Sequence, residues 1–352
     1  MNSAIKKTVK YALPAVAALV LLWVCFRDVE WADFFAALKS CSWGYVILAM
    51  AFGALSFWLR GARWRMLLLP VDPSIRTSTC FNAVNIAYVA NMFFPRIGEV
   101  VRCGYITGSS QEDAGGRKKA SFDKTFGTVV TERAWDAVVV LLFFLCMLPF
   151  VWSRFGSFVE DNVLGQVLEQ FNVIWIVLAV VLAVALAIWL SWRLKDRGGI
   201  FGKIWSFIAG IGEGIMAFTK MRRGWMFVVY TASIWVCYWM TSVCVFWAVC
   251  GMDTSGLGAS MVSAVDTFRS LDLADVFILM FAGSVSTFVP VPGGFGAYHY
   301  VVCLTLTSVY GIPYELGIIF ATISHEAQAV IQIVCGGLSY VWESFFAVRS
   351  RR

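Results

Sequence analysis

Charge is scarce in this sequence. Only 14% of its 352 residues are Asp, Glu, Lys or Arg, against about 25% in soluble domains, and 60% are hydrophobic. Charge-free runs repeatedly reach the roughly 18–20 residues that cross a bilayer as a helix. That excludes a soluble enzyme, a disulfide-stapled secreted domain and a disordered tail. Histidine is almost absent, with His299 and His325 the whole complement. The ten cysteines are scattered, as at Cys146, Cys237 and Cys244, and no C-x-x-C occurs. Neither a metal centre nor a disulfide framework is expected, and no cofactor is implied. No G-x-x-x-x-G-K-[ST] string is present, so ATP hydrolysis by this chain is not expected. The net charge of +6 does not signal nucleic acid. Its Lys and Arg residues sit between apolar runs, where they orient a membrane chain.

What is there reads as an all-α polytopic membrane protein. Lys6, Lys7 and Lys10 precede Tyr11–Phe26 as in a signal peptide. No small-residue cleavage site follows, so this is read as an uncleaved first helix. Further spans are Ser42–Leu59, Thr125–Trp152, Gln170–Trp192, Trp225–Cys250 and Pro313–Trp342, about six full transmembrane helices together. Loop charge gives sidedness. The N-terminus, the stretch holding Arg60, Arg63, Arg65 and Arg76, the stretch 96–124, the stretch 193–224 and the Arg-rich tail all fall on the cytoplasmic side. The acidic stretches Arg27–Cys41 and Ser153–Glu169 fall outside. Residues 201–221 read as an amphipathic interfacial helix. Asp266, Arg269, Asp272 and Asp275 recur every three residues and read as a solvated helical face.

Two apolar stretches do not span simply. Thr77–Pro95 has cytoplasmic flanks and is broken by Pro95-Arg-Ile-Gly98. Val276–Tyr314 starts and ends outside and is broken by Pro290-Val-Pro-Gly-Gly-Phe-Gly296. One re-entrant element per half, entering from opposite sides, predicts an inverted-topology repeat. Broken helices at matching positions point to a transport site near the midplane. The expected organisation is one integral-membrane domain over residues 1–352. Its halves are 5–152, with re-entrant 77–106, and 170–345, with re-entrant 273–312.

Three clusters place costly groups in these elements. Glu132, Arg133 and Asp136 lie at the start of the Thr125–Trp152 span; Glu132 and Asp136 share a helical face. The alternative is that the span begins near Ala137 and all three are surface charges. Asn91, Arg96, Glu99 and Arg102 surround the first break, and Glu99 and Arg102 are spaced to pair on a helix. The plainer alternative is a cytoplasmic loop after one short helix. Pro292, Gly293, Gly294 and Gly296 let backbone approach a ligand, and a helix starting there points free N–H groups at an anion; a tight turn between spans is the alternative. His299 follows on the same element as a candidate binding residue, although a lone neutral histidine is more often a hydrogen-bonded packing residue. Glu326, inside the last span, requires a partner or a proton. Together the first two clusters supply cations for an anionic headgroup or phosphate, with acids to hold them in place.

In this order the clusters resemble the membrane domain of lysyl-phosphatidylglycerol synthases, including the multiple peptide resistance factor, and related stand-alone membrane proteins. That family shows N-x-x-x-P-x-R/x-x-G-E-x-x-R, then E-R-x-x-D, then P-x-P-G-G-x-G. Here these are Asn91 through Arg102, Glu132 through Asp136, and Pro290 through Gly296, and the resemblance covers about residues 5–345. It implies a multi-pass bacterial or archaeal inner-membrane protein related to a domain that moves an aminoacylated phospholipid between leaflets. His299 stands where many relatives carry a glutamate, which bears on substrate and proton coupling. The chain ends at Arg352 without room for the soluble aminoacyl-transferase domain, so it is expected not to make lysyl-phosphatidylglycerol itself.

The leading expectation is therefore a lipid translocase and not an enzyme. Arg96, Arg102 and Arg133 would receive the headgroup and Glu99, Glu132 and Asp136 would orient them. Membrane lipids are the expected partners, nucleic acid is not, and a homo-oligomer is compatible. Two rivals stand beside it. One is a membrane transferase using the acid-x-acid pair Asp28-Val-Glu30; the other is an accessory subunit.

Overall fold

The computed structural model describes residues 3–112, 116, 119–159, 182, 186, 189–194, 202, 205 and 223–347. The expected span Gln170–Trp192 and the expected interfacial helix 201–221 fall largely outside these. Every long element among the described residues is a helix. In chain order they are α1 (Ser3–Phe26), α2 (Trp31–Ser40), α3 (Trp43–Leu68), α4 (Thr77–Phe93), α5 (Gly98–Ser109), α6 (Phe122–Val159), α7 (Gly224–Cys250), α8 (Ala259–Arg269), α9 (Leu273–Val285), α10 (Ala297–Tyr310) and α11 (Tyr314–Trp342).

Among the described residues, three helices are long and apolar enough to cross a membrane: Trp43–Leu68, Gly224–Cys250 and Tyr314–Phe345. Two bent pairs bring the number to five if each pair is one span: Ala12–Phe26 with Trp31–Ser40, bent by 87°, and Ala259–Arg269 with Leu273–Phe288, bent by 102°. Trp43, Trp225 and Trp342 stand exposed at the ends of these three helices, where amphipathic rings favour the headgroup level. Leu13, Leu19, Ile333 and Leu338 are also exposed, as apolar side chains facing acyl chains would be.

The chain falls into two compact units: residues 1–126 with 225–352, and residues 127–224. In the first unit α11 is central and packs on α3, α4 and α10. Its core is apolar, with Phe268 between Phe246 and Phe320 at centroid distances of 5.2 and 5.5 Å. The start of α3 is tied to the end of α7, as Ser42 N donates to Ala248 O and Ser42 Oγ to Gly251 O.

Several loop assignments change. Arg27–Cys41, expected as an outer loop, folds mostly as α2. α3 does not stop at Leu59 but runs to Leu68, so Arg60, Arg63 and Arg65 are helical residues. α6 continues through Ser153 to Val159, shortening the expected acidic loop. The run from Asp266 to Asp275 is not one solvated face. Asp266 and Arg269 pair at 3.0 Å on α8, while Asp272 caps α9. Its carboxylate accepts from Ala274 N and Asp275 N, and buried Asp275 accepts from Asp272 N. Reciprocal capping of this kind satisfies first-turn N–H groups that a helix cannot bond internally.

Candidate functional site

Both expected breaks exist. α4 ends at Phe93 and α5 begins at Gly98, with Pro95 between them. The two helices then approach so closely that only glycine fits at 98; an added Cβ would collide with Ala87 O. Asn91 closes the break by accepting from the Gly98 amide at 2.7 Å. Arg96 holds a left-handed φ of 63° and its side chain is exposed. Holding a non-glycine residue there costs energy and recurs at functional sites. Glu99 is half-buried in the first turn of α5, where the helix dipole favours an acid. Arg102, one turn on, is buried over the Trp64 indole, 4.6 Å from its centroid.

Two further buried guanidiniums lie nearby on α3, one turn apart. Arg60 donates to Tyr238 Oη at 3.1 Å and lies 5.8 Å from the Tyr88 ring centroid. Arg63 donates to Thr231 Oγ1 at 3.3 Å and lies 5.5 Å from the Phe227 ring centroid. Counting loop charge placed both in a stretch on the cytoplasmic side and did not foresee their burial. The signal available was their three-residue spacing, which puts both on one face of a continuing helix.

The second break is built from left-handed backbone. Gly293, Gly294 and Gly296 have φ of 59°, 80° and 78°, a region that β-carbon-bearing residues avoid. The turn is held on three sides. Val291 and Ala297 pack on Ala18 of α1, the turn packs on the end of α4, and Gly293 O meets His325 Nε2 of α11 at 3.1 Å. Gly296 then starts α10 without a side-chain cap, as the anion-facing expectation requires. His299 is buried on α10 beside His325, with ring centroids 5.0 Å apart. The first and third clusters thus meet at the end of α4.

The second cluster belongs to the other unit. Glu132 lies well inside α6, fully buried. Arg133 beside it is exposed and Asp136 is half-buried. Arg133 pairs with Asp136 Oδ2 at 3.5 Å, one turn along the helix, so the acid expected to orient this guanidinium does contact it.

An all-α chain with membrane-length helices, two Pro/Gly-broken helix pairs and buried guanidiniums defines a polytopic membrane protein with charge held inside it. The family model for the lysylphosphatidylglycerol synthase TM region matches residues 11–336. The chain belongs to that family. Among curated proteins and solved structures, none matches the chain.

Proposed function

We propose that this chain moves a lipid with an anionic or phosphate-bearing headgroup between membrane leaflets. The observation that carries the reading is the burial of Arg60, Arg63 and Arg102 in the unit that contains both broken helix pairs. A charged side chain at the centre of a membrane helix costs roughly 2.5–3.5 kcal/mol on insertion scales and by default marks a substrate or ion path. In this unit the headgroup is received by Arg96 and Arg102, with Arg60 and Arg63 added to the expected set; Arg133 is the expected headgroup cation of the other unit. Glu99, Glu132 and Asp136 orient the cations. The Pro292–Gly296 turn and the start of α10 supply backbone N–H groups.

An inverted-topology repeat, an inner-membrane location and cytoplasmic termini belong to the same proposal. They rest on the opposed breaks and on the basic flanks of the first and last helices. No catalytic step is part of it, and movement is passive or driven by an ion gradient. Against the transferase reading, Asp28 and Glu30 are exposed and Asp28 pairs with Arg27 at 2.9 Å. The test is leaflet accessibility in proteoliposomes, with fluorescent lipids of different headgroups and a membrane-impermeant quencher. Protein-dependent exposure selective for anionic headgroups supports the reading. Exposure no greater than in empty vesicles, whatever the headgroup, contradicts it.

A further inference from the structure

The sequence contains two histidines, and the fold brings both onto one carboxylate. His325 Nδ1 lies 3.2 Å from Glu326 Oε1, and His299 Nε2 lies 3.6 Å from the same oxygen. One ligating atom from each of the three residues lies within 4.8 Å of the others. Both rings are buried, and the Glu326 side chain is 42% exposed.

The protons can be placed by hydrogen bonding. Gly293 O can only accept, so His325 Nε2, 3.1 Å away, carries a proton and donates it. In a neutral ring Nδ1 is then a lone pair, and it faces a carboxylate oxygen, a second acceptor. Two acceptors at 3.2 Å need a cation between them. A single proton would serve His325 and leave His299 outside the bond. A metal ion serves all three. Tetrahedral zinc with bonds of roughly 2.0–2.1 Å separates neighbouring ligand atoms by about 3.3–3.4 Å; the two Glu326 edges, 3.2 and 3.6 Å, bracket that value, and the third edge, between the two ring nitrogens, lies within 4.8 Å.

Two other features point the same way. A metal-bound histidine typically donates its second N–H to a backbone carbonyl or carboxylate, which fixes its tautomer; His325 and Gly293 have that relationship. His299 is 1% exposed, and its Nδ1 has no hydrogen-bond partner among the described residues. A buried polar ring held that way is costly unless its other nitrogen gains a strong bond. Coordination at Nε2 supplies one.

We propose that His299 Nε2, His325 Nδ1 and Glu326 Oε1 bind a divalent transition-metal ion of the zinc class, with a fourth position open to an exogenous oxygen ligand. Metal binding is independent of the lipid reading and is measured without lipid transport. The experiment is calorimetric titration of the purified, chelator-stripped full chain in detergent with zinc chloride. One ion per chain is expected, with affinity falling at least about tenfold in His325→Gln and in Glu326→Gln. Thermal unfolding of the metal-free chains serves as the check on folding; zinc raises the midpoint of the wild type and not of either variant. Cobalt substitution distinguishes this site from the ten cysteines, because thiolate ligands add an intense charge-transfer band that nitrogen and oxygen ligands lack. No binding to the wild type, equal binding to both variants, or a thiolate band would each overturn the proposal.

Discussion

The side chain of Asn91 accepts the backbone N–H of Gly98 across the gap between α4 and α5, at 2.7 Å. Phe94 N still bonds Ala90 O and Ile97 N bonds Phe94 O across the turn, and the asparagine then supplies the acceptor for the first N–H of α5. Backbone without helical bonds is tolerated at membrane depth only where it is buried or lines a cavity. The break is therefore specified twice, by the asparagine acceptor and by the missing Cβ at 98.

Gly98→Ala should be the more damaging of two changes at this break. Its methyl group meets the Ala87 carbonyl, which belongs to backbone and cannot rotate away. Asn91→Ala leaves the buried Gly98 N–H unpaired, about 1–3 kcal/mol, whereas the methyl at 98 also crowds the Asn91 amide and so adds overpacking, about 1–3 kcal/mol, to the disturbance of the same bond. Thermal unfolding in detergent should rank wild type above Asn91→Ala and Asn91→Ala above Gly98→Ala. The reverse order for the two variants would mean that α5 can move off α4 freely.

Arg63→Met separates a functional cation from a structural one. Replacing a buried charge by an apolar side chain of similar size is often neutral or stabilising, and the Phe227 ring beside Arg63 suits a thioether. The expected outcome is a melting temperature equal to or above wild type, with lipid translocation reduced at least about tenfold. That reduction corresponds to losing a charge-assisted hydrogen bond of about 1.5–3 kcal/mol. Unchanged translocation would remove Arg63 from the site.

Asp72 gives the protein an acid-sensitive joint outside the spans. It sits between α3 and α4 and accepts from Ser74 N, Ser74 Oγ, Ser110 Oγ and Gln111 N. Ser110 Oγ accepts in turn from Ala120 N, so the node reaches the approach to α6. Burial pushes the Asp72 carboxyl up, but the hydrogen bonds outweigh it and hold it below the usual carboxylate value. A depressed folded-state pKa contributes stability above the unfolded value, near pH 4, and loses it as pH falls through the folded one. Thermal midpoints of wild type and Asp72→Asn should differ at pH 7 and converge as the pH drops below about 4. A constant difference down to pH 3 would contradict this.

Much of this was legible in the residues. Pro95 with Gly98, and Pro290 through Gly296, mark backbone breaks by their own geometry, and both breaks are present. The family match over residues 11–336 takes in the motifs around Asn91, Glu132 and Pro290. The burial of Arg60 and Arg63 on a continuing helix was not foreseen, because loop-charge counting gives only the side of the membrane on which a basic cluster falls. It has no term for guanidiniums packed on Tyr88 and Phe227. The cap formed by Asp272 and Asp275 had a readable D-x-x-D signal, masked by the regular spacing of Asp266 and Arg269. The convergence of His299, His325 and Glu326 was beyond pattern reading, since it depends on how α10 folds back against α11.

The central claim is that intramembrane cations handle an anionic headgroup, and Arg133 tests it most directly. It is half-exposed and pairs with Asp136 one turn along its helix, and thermal unfolding of the variant reports whether its removal leaves the fold intact. Wild type and Arg133→Ala are reconstituted side by side, and quenching of fluorescent phosphatidylglycerol is compared with that of phosphatidylcholine. The account predicts protein-dependent exposure of the anionic lipid in wild type and its loss in Arg133→Ala, with unchanged thermal unfolding. Equal exposure of both lipids, or full activity without Arg133, would contradict it.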